Sequence, residues 1–344
     1  MNEQGIVCGG SPSRVTVALD AMGGDGGISV NVAGAVEAAR EQAVSVVLVG
    51  HEGPIQAELD RLGTSGLDLR VRHASEVVEA QESPSAALRK KKDSSIRVVT
   101  DLVKGGEADA MVSAGNTGAV MAHALVILGA LPGVERPAIA AQVPTTTGYS
   151  VLLDVGANLD PKPRHLLQFA IMGSVYAKQI LGAPEPRVGL LSIGEEETKG
   201  NELTREAFGA LEEEPTIRFV GNVEGADIFN GKTDVVVCDA FTGNVALKIS
   251  ESVAETIVRL FRQELSAGFR GKAGLLLLRP GLRRLHRRID YAEYGGAPLL
   301  GVNGVVIIGH GRSSAKAIKN AIRVTAECVK TNMLARIREG VAHS

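Results

Sequence analysis

Residues 14–50 read RVTVALDAMGGDGGISVNVAGAVEAAREQAVSVVLVG. A β-branched, almost wholly apolar run (Arg14–Asp20) enters a glycine-rich turn. A small-residue helical stretch follows (near Ser29–Gln42), and then a second apolar run (Ser45–Gly50). Apolar runs without alternation belong to strands buried on both faces, and a helix between two such strands makes them parallel. The unit therefore predicts an α/β protein whose strand-exit turn is open to a ligand.

The same pattern continues outward. Further strands are expected at Leu67–Arg72, Ala108–Ser113, Ile139–Val143, Ser150–Asp154, Arg187–Ile193, Thr216–Val220, Asp234–Cys238 and Gly304–Ile308, with helices through Asp60 and from Thr117. The expected architecture is a three-layer α/β/α fold on a mostly parallel sheet. One catalytic unit over 14–338 follows a disordered leader at 1–13. Two lobes sharing a cleft fit the length of 344 residues, but no linker marks a boundary.

Composition narrows the function. The net charge of -2 disfavours a protein devoted to nucleic acid. Cys8, Cys238 and Cys328 are far apart and lack metal-ligand spacing, so they read as buried thiols of a reducing compartment. No run of about 18 apolar residues is present to cross a bilayer, and the first residues lack the charge-then-apolar order of a secretory signal. No metal is expected. Gly225…Gly231-Lys232-Thr233 imitates a phosphate-binding loop, but five residues separate its glycines and a strand follows. His165 and His310 have no ligand-spaced partners and read as structural or solvated.

Ligands of open α/β sheets bind where strands run into helices. Five such loops stand out. Asp20-Ala21-Met22-Gly23-Gly24-Asp25 is either a tight turn with Asp25 helping to cap a helix, or an anion cradle. Ser113-Ala114-Gly115-Asn116-Thr117-Gly118 offers amides and hydroxyls to a phosphate or carbonyl oxygen, although Asn116 or Thr117 serves equally as an N-cap. Asp154-Val155-Gly156-Ala157-Asn158 is the third. Gly194–Glu202 carries three adjacent glutamates, ordinarily a solvated face, yet Lys199 and Asn201 lie at a strand exit where an ammonium neutralises phosphate. Asp239-Ala240-Phe241-Thr242-Gly243-Asn244 opens a helix, with Asn244 a cap by default and a substrate donor by hypothesis. In that helix Ile249, Val253, Ile257, Phe261 and Leu265 make one apolar stripe, read as core or a subunit interface. The candidate phosphate- and substrate-binding set is thus Asp20, Gly23, Gly24, Asp25, Ser113, Gly115, Asn116, Thr117, Asp154, Asn158, Asn201, Thr242 and Gly243.

Gly268–Arg288 contains Arg270, Lys272, Arg279, Arg283, Arg284, Arg287 and Arg288 and no acidic residue. Leu275 and Leu278 bound an apolar run, Leu282, Leu285 and Ile289 continue a stripe, and Pro280 is expected to break the helix. Such a basic amphipathic hairpin suits an anionic membrane or an acidic carrier protein. The plainer reading is a solvated helix packed on the body or on a second chain.

Taken in order, DAMGGD (20–25), LRKKKDSS (88–95), SAGNTGA (113–119), DVGAN (154–158), QFAIMG (168–173), GEEETKGNEL (194–203), FVGNVE (219–224), FTGNVALK (241–248), EYGGAP (293–298) and VNGVVIIGHG (302–311) resemble the PlsX family, phosphate acyltransferases of bacterial phospholipid synthesis. The resemblance runs from about Arg14 to Arg338. It departs at Ile28, where the family usually has proline. It implies a fold akin to isopropylmalate dehydrogenase and phosphotransacetylase, usually in a homodimer. It implies the reaction of acyl-acyl-carrier-protein with inorganic phosphate, giving acyl phosphate and free carrier, with no cofactor. Lys199 and Asn244 match the positions implicated in catalysis. The resemblance supports peripheral membrane contact and carrier docking, for which the basic amphipathic stretch offers Arg279, Arg283, Arg284, Arg287, Arg288, Leu275 and Leu278, and a cytoplasmic location is expected. The competing expectations are a coenzyme A-dependent, phosphotransacetylase-like enzyme and a non-enzymatic scaffold that binds acyl carrier protein.

Overall fold

The computed structural model describes residues 14–266 and 268–342; the expected leader and Cys8 lie outside them. One sheet holds eleven strands. They are β1 (Val15–Asp20), β2 (Val44–Gly50), β3 (Leu69–His73), β4 (Ala110–Ser113), β5 (Ala138–Pro144), β6 (Tyr149–Leu153), β7 (Arg187–Leu191), β8 (Arg218–Val223), β9 (Val235–Val237), β10 (Ala297–Leu300) and β11 (Val305–Ile308). The order across the sheet is β3-β2-β1-β4-β11-β10-β5-β6-β9-β7-β8.

The helices between them are α1 (Gly27–Glu41), α2 (Glu52–Leu62), α3 (Pro84–Lys90), α4 (Ser95–Lys104), α5 (Thr117–His123), α6 (Pro163–Ile180), α7 (Glu202–Glu212) and α8 (Asp227–Asn230). A long pair follows, α9 (Ala240–Ser266) and α10 (Gly268–Ile289), and the chain closes with α11 (Ala315–Lys330) and α12 (Met333–Val341). They cover both faces. Val15, Val17 and Leu19 of β1 pack with α1, α2 and α11 on one side, whereas Ala18 packs with α4 and α5 on the other. Val235 and Val237 of β9 face α6, and Val236 faces the opposite layer. This alternation between two cores is why the strands read as unbroken apolar runs. With no Trp in the chain, the largest buried side chains include Tyr176, Phe169 and several Leu. The three-layer α/β/α expectation holds.

Three details differ from it. β10 was not expected, because four residues beginning Ala-Pro carry too little periodicity to signal a strand. Second, β5 pairs antiparallel with both β6 and β10, and β10 antiparallel with β11. The parallel blocks β3-β2-β1-β4-β11 and β6-β9-β7-β8 therefore run in opposite senses. Third, α10 continues through Pro280. The residue is exposed, so the carbonyl that loses its donor there can turn to water.

Candidate active site

The polarity reversal decides where a cleft forms. The first block (exits after β1, β4 and β11) and the second (exits after β6 and β9) run in opposite senses, and the register brings the end of β11 and the end of β6 to nearly the same level, Ile308 opposite Ala297 and Leu153 opposite Ala140. The short pair β10 and β5 lies between them. A cavity of about 540 Å³ spans this junction. Ile139, Ala141, Ala297 and Ile308 form its floor. Thr117, Gly118 and residues 309–311 with Ser313 line one side, and Val155, Gly156, Asn244 and Lys248 the other.

On the first-block side the loops are held from beneath. Asp20 is fully buried and accepts from the backbone N–H of Met22 and Gly23 (3.1 Å each) and from the Ser113 hydroxyl (2.7 Å). Burial pushes its carboxyl up, against the pull of the Ser113 and Ser95 hydroxyls. Ser113 Oγ in turn accepts from the Gly115 N–H at 3.1 Å. A Cβ on Gly23 would sit 2.7 Å from both Asp20 Oδ2 and Gly115 N, so the two glycine loops interlock only without side chains. Asn116 caps α5, its Oδ1 accepting from Ala119 N–H at 3.0 Å, while its Nδ2 donates to the carbonyls of Glu79, Ala80 and Glu82. The exposed Asp25 donates its N–H to the Gly311 carbonyl at 2.7 Å, tying the β1 turn to the turn after β11.

On the second-block side Asp154 plays the same part. It is buried and accepts from the N–H groups of Ile139, Gly156, Ala157 and Asn158 and from Asn158 Nδ2, at 2.7–3.2 Å. Burial raises its pKa although these donors pull it down. Asn158 also donates to the Pro137 carbonyl at 2.8 Å. A Cβ on Gly243 would lie 2.0 Å from the Asp154 carbonyl oxygen, so α9 can start against this loop only with glycine there. Thr242 folds onto Asp239 through its N–H and hydroxyl. Asn244 donates one Nδ2 hydrogen to the Val155 carbonyl at 2.9 Å, which fixes its carboxamide at the wall of the cleft. One turn on, Lys248 pairs with Glu251 at 2.8 Å, and its Nζ lies 3.4 Å from His310 Nε2. Burial and the Lys248 ammonium together hold the His310 ring below its usual pKa.

Lys199 sits one strand further, on the loop after β7, the neighbour of β9. It is exposed, forms no salt bridge among the described residues, and does not line the cleft. Asn201 caps α7, accepting from Thr204 N–H at 2.9 Å. Of the adjacent glutamates, Glu195 pairs with Lys232. That pairing spends the lysine of the false phosphate loop on a structural contact.

The arm formed by α9 and α10 leaves the body. Arg283, Arg284, Arg287 and Arg288 are exposed, as are Leu277 and Leu278; the side chains of Leu275 and Arg279 lie outside the described residues. Arg288 reaches the carbonyls of Thr145 and Thr146, and Tyr294 donates to the Arg288 carbonyl, anchoring the arm's end. No described helix is long and apolar enough to cross a membrane. Among the described residues no cluster of three or more His, Cys, Asp or Glu is arranged to hold a metal.

A family model described as "fatty acid synthesis protein" matches residues 15–336. A phosphate acyltransferase of Citrifermentans bemidjiense is 54% identical over 328 residues, covering 95% of this chain and 93% of its own. Another, of Geobacter sulfurreducens, is 52% identical over 323 residues, covering 94% and 93%. This chain belongs to the phosphate acyltransferase family. It is an acyltransferase. Solved phosphotransacetylases of Streptococcus pyogenes (TM-score 0.62, 19% identity, 93% of this chain and 95% of that one) and Staphylococcus aureus (0.58, 18%, 93% and 95%) share its fold.

Of the residues expected in the site, the cleft of this phosphate acyltransferase family member takes in Thr117 and Asn244 directly. Gly23, Gly24, Gly115 and Gly243 shape the loops around it. Asp20, Ser113, Asp154 and Asn158 lie underneath as internal acceptors and donors, and Asn201 and Lys199 stand off. The scaffold expectation falls with membership in an enzyme family. Lys248 and His310, which also line the cleft, are not among the expected residues. His310 read as structural or solvated because its neighbour is 62 positions away, and no local spacing announces such a pair. The only hint was that Lys248 ends FTGNVALK and His310 lies within VNGVVIIGHG, two stretches already singled out.

Proposed function

We propose that the enzyme transfers a fatty acyl group from acyl carrier protein to inorganic phosphate, an early step of bacterial phospholipid synthesis. A phosphate oxygen attacks the thioester carbonyl carbon, the new C–O bond forms and the C–S bond breaks. The proton carried by hydrogen phosphate ends on the departing carrier thiol. Phosphate is nucleophilic near neutral pH, so positioning and charge stabilisation suffice. The reading rests most on Asn244. One amide hydrogen is tied to Val155, which leaves the second to donate to the thioester oxygen as it becomes an oxyanion. Lys199, on the adjacent strand exit, balances developing negative charge.

The carrier, acidic as a class, and an anionic membrane surface both suit the basic face of α10 at Arg283, Arg284 and Arg287. Two copies of the chain pair through the apolar stripe of α9. The enzyme works in the cytoplasm with peripheral membrane contact. The first test is release of carrier thiol from palmitoyl-acyl-carrier-protein with and without phosphate, with hydroxylamine trapping of the product. Phosphate-dependent release of a trappable acyl phosphate supports the reading. Release from acyl-coenzyme A alone would overturn it in favour of the phosphotransacetylase-like reaction.

A further inference from the structure

We infer that Lys248 and His310 form the subsite for the attacking phosphate, a tetrahedral oxyanion held across the cleft from one block of the sheet to the other. The inference rests on the proposed reaction and assigns a place to its second substrate. His310 Nδ1 accepts the Arg312 backbone N–H at 3.1 Å. A ring nitrogen that accepts carries no hydrogen, so in the neutral ring the proton sits on Nε2. Nε2 is the atom 3.4 Å from Lys248 Nζ. Two donors, one of them cationic, thus converge on one point of the cleft wall. An anion seated there can accept from both.

The surroundings fit such a ligand. Gly309 and Gly311 flank the histidine on the cleft side, leaving backbone rather than side chains there. The turn is held by backbone hydrogen bonds of its own chain. The Asp25 N–H holds the Gly311 carbonyl, and the Ser313 N–H donates to the His310 carbonyl at 2.8 Å. Lys248 is steadied by its i,i+3 pair with Glu251, and its side chain is 49% exposed, open to an anion entering from solvent. Asn244, which we assign to the thioester oxygen, lies one helical turn before Lys248 on the same α9. A phosphate on the Lys248–His310 pair is therefore presented to a carbonyl held at Asn244, the geometry an in-cleft displacement needs.

The test is steady-state kinetics in phosphate and in acyl carrier for Lys248→Met, His310→Ala and His310→Gln. The glutamine amide restores an N–H donor near the Nε2 position. One charge-assisted hydrogen bond corresponds to about tenfold to a hundredfold in affinity. Lys248→Met and His310→Ala are expected to raise the KM for phosphate by about that factor. The KM for acyl carrier should stay within about threefold, and His310→Gln should recover part of the loss. As a second readout, phosphate-induced increase in Tm without acyl substrate should disappear in Lys248→Met, while the Tm without phosphate stays unchanged. If the wild type releases thiol only with phosphate and both variants keep its phosphate KM and its Tm response, the subsite assignment is wrong and the reaction stands. If the wild type shows no phosphate dependence at all, the reaction itself fails and takes the subsite with it.

Discussion

The cleft walls and the helical arm are built on opposite terms. In the walls nearly every polar group is answered from within the chain: Asp154 alone accepts from four backbone amides and a side-chain amide. Along the arm, apolar side chains stand in water. Val245, Ile249, Val253, Ile257, Leu260 and Phe261 are 42–58% exposed on α9. A buried carboxylate without donors costs several kcal/mol, so the wall must be complete in one chain. An exposed apolar stripe of this length is normally covered by something else. The wall is complete within one chain, whereas the arm presents an uncovered apolar face.

Substitutions can break that contrast. The largest effect is expected from Gly243→Val. Its side chain would drive into the Asp154 carbonyl and separate α9 from the 154–158 loop. Overpacking of this kind costs about 1–3 kcal/mol, and more where backbone is struck. Denaturant unfolding should show the loss, and activity should vanish because Asn244 moves with its neighbour. Next come Lys199→Ala and Asn244→Ala. Each is expected to lower kcat by about 100- to 1000-fold, the range for loss of one group that stabilises developing charge, with the denaturation midpoint unchanged. Near-full turnover in both would remove them from the mechanism.

The arm should respond the other way. Ile249→Asp with Ile257→Asp is expected to leave the thermal midpoint of the single chain almost unaltered while halving the mass seen by sedimentation. An unaltered mass would mean that the stripe is not where two chains meet. The smallest effect is assigned to Arg283→Glu, Arg284→Glu and Arg287→Glu together. Surface charges of this kind act at about 1 kcal/mol each near an anionic surface and fade with salt. The triple variant should raise the KM for acyl carrier and weaken binding to anionic vesicles, with kcat retained. Unchanged carrier kinetics and vesicle binding would return the arginines to a merely solvated role.

Much of this was written locally. Val15, Val17 and Leu19 on one side of β1 and Ala18 on the other gave an apolar run, and such a run is a strand buried twice. The glycine pairs at 23–24 and the small residues at 113–118 marked turns where backbone meets backbone. The ordered stretches from DAMGGD to VNGVVIIGHG carried the resemblance to the family, and with it the expectation for Lys199 and Asn244. What local sequence left open was the role of each polar residue: Asp20 and Asp154 read as ligand-facing carboxylates, yet both sit beneath their loops as acceptors. Exposure depends on what the other layer covers, and no spacing along the chain reports it.

By itself, then, the sequence determined the alternation of elements, the three layers and the family, because periodicity and motif order are properties of neighbouring residues. Only the tertiary structure decided that the two parallel blocks oppose each other. That reversal depends on the pairing of β10 with β5, where Leu299 meets Ile139 and Leu300 meets Ala138, hydrogen bonds between segments far apart in the chain. It is the same long-range pairing that brings the loop after β11 to α9 and sets His310 beside Lys248. Their meeting is a consequence of strand polarity, which only the folded sheet carries.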